Sequence, residues 1–222
     1  NTRAELKHSP WSVWQGVFGL QYTDLDFSAV GAEAFIPPST TKTTAVFWIE
    51  RGDFDAWQVD LGLRYEDVKI KVANTLVEEE GPSGPSSDAD FQPFSASAGT
   101  IWNISDAIDL TYAERAPAVE ELYANGPHIA TQVFEVGDVS LNKESTVHVE
   151  GGARVGFGRF TGSATVYMDK FSDYIYQSNS GLEEEGLPVL VWSQQNADFV
   201  GAEVELRYDF EESKFGHWQV FS

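Results

Sequence analysis

Strand-like alternation in this chain is joined by connections that are long, then short, then long again from one end to the other, and few folds accommodate that rhythm. Short links at residues 52–55, 105–106 and 156–158 suit tight turns. Polar links of roughly 18 to 26 residues, at 24–41, 69–90, 117–142 and 174–197, fall between them. A membrane β-barrel sorts its connections this way, with short turns on the periplasmic rim and long loops on the extracellular rim. A soluble sandwich has no reason to do so.

The side chains say what each face meets. Val200, Ala202, Val204, Leu206, Tyr208 and Phe210 alternate with Gly201, Glu203, Glu205, Arg207 and Asp209, so one face is greasy and the other charged. Trp57 to Glu66, Thr146 to Val155 and Phe160 to Asp169 repeat the scheme. An antiparallel sheet with one face on a soluble core alternates in the same way. The membrane reading rests on the up-and-down order, on strands of about the 9 to 11 residues a tilted span requires, and on aromatics near strand ends. The fold class expected is therefore an all-β, antiparallel up-and-down transmembrane barrel. About ten strands are expected, near 1–7, 13–23, 42–51, 56–68, 91–104, 107–115, 143–155, 159–173, 188–210 and 216–222.

Composition excludes several functions. With 14 Lys and Arg against 35 Asp and Glu, and a net charge of -21, the chain has no basic surface for nucleic acid. The absence of Cys removes disulfides, thiolate metal sites and cysteine nucleophiles from this segment. No run approaches the apolar length of a membrane helix, and a mean hydropathy of -0.27 is expected of strands that turn half their residues to a polar lumen. Many acids sit in the long connections, among them Asp24, Asp26 and Glu33, residues 78–80, Asp88 and Asp90, and residues 183–185. They keep the loops solvated, and they also form a negative vestibule that concentrates cations. The Gly-, Pro- and Ser-rich stretch 79–90 reads as a loop rather than a domain linker. The chain begins and ends inside strand-like segments, so it is read as an internal piece of a larger barrel whose remaining chain closes the sheet.

Two elements carry a family resemblance. Residues 112–128 read YAERAPAVEELYANGPH, and residues 134–145 read FEVGDVSLNKES. This pair closely resembles the barrel of TonB-dependent outer-membrane receptors, in which a strand ends in R-A-P-x-x-x-E-L-Y, a large extracellular loop follows, and the next strand enters through G-D-x-x-L-x-x-E-[ST]. Residues 19–22 and 26–38 are similar to a loop in a subgroup of these receptors that includes zinc-uptake members. The resemblance covers essentially all of residues 1–222 and implies a partial stretch of a 22-stranded barrel, with the plug domain, the energy-coupling box and the final barrel strands elsewhere. Val139-Ser140 departs from the common Pro-x of the second element, while Glu144 retains its acid.

The resemblance implies an active outer-membrane transporter of a Gram-negative bacterium. Its outer loops would capture a scarce extracellular ligand, a metal ion or metal complex such as a ferric siderophore or haem. The TonB–ExbB–ExbD complex would supply energy through the N-terminal region. No cofactor is implied. A passive porin, an adhesive barrel and an outer-membrane barrel hydrolase are the alternatives. The last has least support, because the chain lacks a G-x-S-x-G elbow, an H-E-x-x-H pair, a P-loop and a dinucleotide fingerprint.

Within the 117–142 connection, Pro117 forces Ala116 away from helical geometry and ends the strand. Arg115, Glu120 and Glu121 are the substrate-binding candidates, with a lumenal salt bridge as the competing role for Arg115. His128 is the strongest metal-ligand candidate, with Glu135 and Asp138 as oxygen donors, because zinc accepts imidazole nitrogen and carboxylate oxygen together. An ordinary exposed loop histidine is the alternative. His148 alternates with Val147 and Val149 and should face the lumen, whereas His8 and His217 lie near expected periplasmic turns.

Overall fold

The computed structural model describes residues 1–29, 31, 34–72, 88–102, 106–211, 214 and 216–222. Four strands lead: β1 (Thr2–Lys7), β2 (Trp14–Phe27), β3 (Ser39–Phe54) and β4 (Trp57–Val72). After them come β5 (Ala89–Phe91), β6 (Phe94–Trp102) and β7 (Asp106–Arg115). A five-residue helix α1 (Val119–Tyr123) and two short strands, β8 (Asn125–His128) and β9 (Val133–Val136), fill the connection to β10 (Glu144–Phe157). The last strands are β11 (Phe160–Glu184), β12 (Leu187–Asp209) and β13 (Gln219–Phe221). Strands β1, β2, β3, β4, β6, β7, β10, β11 and β12 pair antiparallel in that order, and β13 pairs the lower end of β12.

Strand periodicity decides the two faces, and exposure decides what they are for. Val166 is 62 % exposed, Val200 80 % and Val204 63 %. In a soluble sandwich these apolar rows would be covered by a second sheet. Here the greasy face of the wall is bare, as lipid-facing positions require. The buried apolar cluster lies elsewhere: Val68, Ile70, Leu122, Tyr123, Leu141 and Ile175 pack together where the long connection meets the upper ends of β4 and β11. No helix among the described residues is long and apolar enough to cross a membrane.

Several expected boundaries are corrected. Residues 174–197 are not a loop, because β11 and β12 run on for 25 and 23 residues as one tall hairpin that turns at Glu185 and Gly186. Above the bilayer neither face needs to be apolar, so Ser, Asn and Gln continue the ladder and the hydrophobic alternation that marks a strand is missing. The 24–41 and 69–90 connections are shorter than expected for the same reason, with β2 reaching Phe27, β3 starting at Ser39 and β4 ending at Val72. Pro93, which has no N–H to donate, separates β5 from β6 and divides the strand expected at 91–104. The strand expected over 216–222 shortens to Gln219–Phe221. The short turns sit at Asp55-Ala56 and Gly158-Arg159, the latter with Gly158 at φ 61°. Ser105 of the expected 105–106 link, Glu33, residues 78–80 and most of the 79–90 stretch lie outside the described residues.

Candidate functional site

The connection from β7 to β10 is built by one guanidinium. Arg115, the last residue of β7, places Nη1 2.8 Å from Glu121 Oε2, and its Nη2 lies 3.3 Å from Glu144 Oε2. Glu121 comes from α1, and Glu144 opens β10 opposite Arg115 in register. Both carboxylates are buried, so each needs a charge partner and further donors. The Ala118 N–H donates to Glu121 Oε2 at 2.7 Å, and the Ile175 N–H of β11 donates to Glu144 Oε2 at 2.8 Å. A strand end, a helix start, the next strand and the tall hairpin therefore meet at Arg115.

The two halves of the sequence motif dock on each other beside this clamp. The Gly137 N–H donates to the Ala124 carbonyl at 2.7 Å, and Asp138 N–H to the Glu121 carbonyl at 2.9 Å. A Cβ at Gly137 would lie 2.6 Å from the Leu122 carbonyl carbon and the Tyr123 nitrogen. The glycine is thus required for the approach of two backbones, and it seals Leu122 and Tyr123 to 1 % and 2 % exposure. Of the three substrate-binding candidates, Arg115 and Glu121 bind each other, Glu121 is buried, and Glu120 is exposed.

His128 and Glu135 are brought together across the β8–β9 hairpin, with Nδ1 2.6 Å from Oε1. The carboxylate accepts, so Nδ1 carries a proton in this pair, and in the neutral tautomer that this leaves, Nε2 would carry the lone pair. Glu135 is buried, and its other oxygen accepts from Gln177 Nε2 of β11 at 2.7 Å. The ring stacks on Phe35 at 4.4 Å between centroids, and Phe35 also accepts the Asn125 N–H through its carbonyl at 2.8 Å. Asp138 does not join them, since its Oδ1 accepts the Ser140 N–H at 2.8 Å and the Ser140 hydroxyl at 2.6 Å in a local turn. Among the described residues no group of three or more His, Asp or Glu side chains is placed to hold a metal ion. Gln177 carried no signal in the sequence, because it reaches Glu135 from a distant strand, and Phe35 was marked only as part of the 26–38 stretch.

The connection is also stitched to the hairpin. Phe134, Glu135 and Val136 of β9 pair in parallel with Val189, Leu190 and Val191 of β12, and Asn142 exchanges two hydrogen bonds of 2.8 Å with the Gln194 side chain. The remaining histidines lie away from it. His148 pairs with Asp169 at 2.7 Å on the polar face of the wall, His217 approaches Asp209 at 3.3 Å, and His8 meets Glu50.

Residues 1–222 match the family model described as TonB dependent receptor-like, beta-barrel. Solved structures share the fold at low identity. The copper transporter OprC is 16 % identical with a TM-score of 0.72, over 93 % of this chain and 34 % of that one. The FrpB iron transporter from Neisseria meningitidis (F3-3 variant) is 12 % identical with a TM-score of 0.59, over 94 % and 32 %. The siderophore receptor PirA from Pseudomonas aeruginosa is 13 % identical with a TM-score of 0.54, over 99 % and 49 %. The chain spans a third to a half of the length of these three structures.

Proposed function

The chain belongs to the TonB-dependent receptor β-barrel family along all 222 residues, and from that premise we propose that it is part of the barrel of an outer-membrane active transporter for a metal ion or metal complex. The family match carries this reading. The sorting of the wall supports it, with bare apolar rows outside, charged rows inside and tall strands rising beyond the bilayer. A plug domain and coupling box in the rest of the receptor would engage the TonB–ExbB–ExbD complex. Binding on the outer side would then be converted into opening of a path.

Within that reading the ligand meets the 117–142 connection at His128. Glu135 orients the ring, as carboxylates do behind metal-binding histidines, and Nε2 is the atom offered to the ligand. A bare zinc ion takes about four donors, and the described residues offer it no group of three. A metal already held in a complex needs fewer, so a metal complex is favoured over the free ion. The transport of zinc, suggested by the similarity of residues 19–22 and 26–38, is the second reading.

Calorimetric titration of the complete receptor, plug included, with zinc and with a ferric siderophore at low and high salt tests this. Diffuse attraction to acidic loops is screened over about 8 Å at physiological ionic strength, whereas coordination survives. Binding of the complex that weakens in His128→Ala at both salt concentrations is expected. Unchanged affinity removes His128 from the site. A full reading frame without an upstream plug domain would favour a porin or adhesive barrel.

A further inference from the structure

The lipid-facing surface is not the same height all round. Across β10–β12, five successive cross-strand rows, from Phe157–Phe160–Tyr208 beside the turn to Val149–Met168–Val200, carry only apolar side chains or glycine. The first charges on that face are Lys170 and Asp198, which are no part of those rows. Across β1–β3 the sequence of rows differs. The third row from the turn holds Gly16 and Glu50, with His8 continuing it beyond the end of β1. Two apolar rows follow, those of Trp48 and Val46, and the polar side chains return with Thr44 and then the Lys42–Asp24 pair. At about 2.6 Å of height per residue for a strand tilted about 40°, the wall from Phe160 to Lys170 is about 26 Å tall and that from Glu50 to Lys42 about 21 Å.

Gly16 makes the polar row possible. Its missing side chain leaves a saddle across β2, where a Cβ would lie 2.2 Å from Glu50 Oε2. The carboxylate lies in that saddle, accepts from Trp48 Nε1 at 3.1 Å, and meets His8 Nε2 at 3.1 and 3.2 Å. Glu50 is buried at 8 %, and the His8 side chain, on the same face of the wall, is 37 % exposed. Hydrocarbon satisfies neither group. Below the row, Trp14, Phe54 and Trp57 form an edge-to-face and tilted aromatic chain with centroid distances of 5.8 and 6.1 Å. Such rings are at home among headgroups.

Taking the membrane-barrel reading as given, we infer that the bilayer is thinned against β1–β3, with lipid headgroups of the periplasmic leaflet and their water rising to the His8–Glu50 row. The aromatic chain then lies at headgroup depth instead of under hydrocarbon. Bilayers accommodate a height difference of a few ångströms by local thinning at modest cost. The β10–β12 wall, apolar from its turn upward, holds the bilayer at full thickness.

Leu61 lies opposite Glu50, and Ala164 occupies the same third row above its own turn. Leu61→Cys and Ala164→Cys, each in a complete receptor otherwise free of reactive cysteine, would be labelled with an NBD fluorophore in phosphatidylethanolamine–phosphatidylglycerol nanodiscs. Dithionite should reduce the label at Leu61 at least tenfold faster than at Ala164, with red-shifted emission. Adding His8→Leu and Glu50→Leu together should slow reduction at Leu61 to the rate at Ala164. Equally slow, blue-shifted labels in the otherwise unaltered receptor would overturn the inference. Two fast, red-shifted labels would overturn the membrane-barrel reading itself. If the double leucine variant fails to fold, the two labels in the unaltered receptor decide the matter alone.

Discussion

Two clusters built around buried carboxylates hold the 117–142 connection, one at its base and one within it, and they are finished differently. At Arg115 a cation lies between Glu121 and Glu144, and backbone N–H groups fill further acceptor positions. At His128 the buried Glu135 is held by Gln177 and by the imidazole Nδ1, and the histidine side chain is about one third exposed. The first cluster uses its charges to join four chain segments, which makes it a fastening. In the second, on the function proposed above, a buried acid aims a single ring. The difference teaches that acidity alone does not mark a binding site, since the two most buried acids of the motif half that contains Arg115 and of its partner strand serve the fold.

Substitutions can break this contrast. Arg115→Ala should cost the most, because it strands two buried carboxylates. Loss of one partner from a fully buried pair costs about 3–5 kcal/mol, and the half-exposed guanidinium lowers the expectation to about 2–3 kcal/mol. Urea unfolding of the complete receptor measures it, and a loss under about 0.5 kcal/mol would deny the fastening role. Gly137→Ala forces a methyl into the Leu122–Tyr123 backbone and should cost about 1–3 kcal/mol, with earlier proteolytic cutting within the connection as the readout. Glu135→Gln keeps the shape but weakens the orienting bond. About a tenfold loss of affinity for the metal complex is expected, with little change in the unfolding midpoint. If stability falls and affinity does not, the His128 cluster is a fastening like the first. The smallest effect belongs to Glu120→Gln, expected within about 0.5 kcal/mol of the parent on the same unfolding curve.

Alternation made the wall legible. Val200 to Phe210 could be sorted into lipid and lumen faces from sequence because the bilayer imposes one chemistry on every second residue. The same argument failed at residues 174–197, where water on both sides removes that demand and a ladder of polar residues reads as a loop. The motif halves around Arg115 and Gly137 were legible as belonging together, but their joint was not. Arg115 and Glu144 are 29 residues apart, and a salt bridge leaves no periodic trace. His128 was picked out by residue type, and Glu135 with it, but their roles were not separable. Only the position of Gln177 on the tall hairpin shows that Glu135 is held from two sides. The Glu50 row was missed because an isolated acid in a strand looks like a lumenal one until the register is known.

The three-residue parallel pairing of β9 with β12 also bears on the order in which the chain acquires its form. Phe134 and Val189 are about 55 residues apart, and closing so wide a loop carries an entropic penalty that nearest-neighbour hairpins avoid. The β8–β9 hairpin can form locally, but its edge has nothing to join until β11 has risen and β12 has come back down. The connection from β7 to β10 is therefore among the last parts of this stretch to become fixed. A receptor halted before the tall hairpin is complete would have a wall with this connection still unfastened.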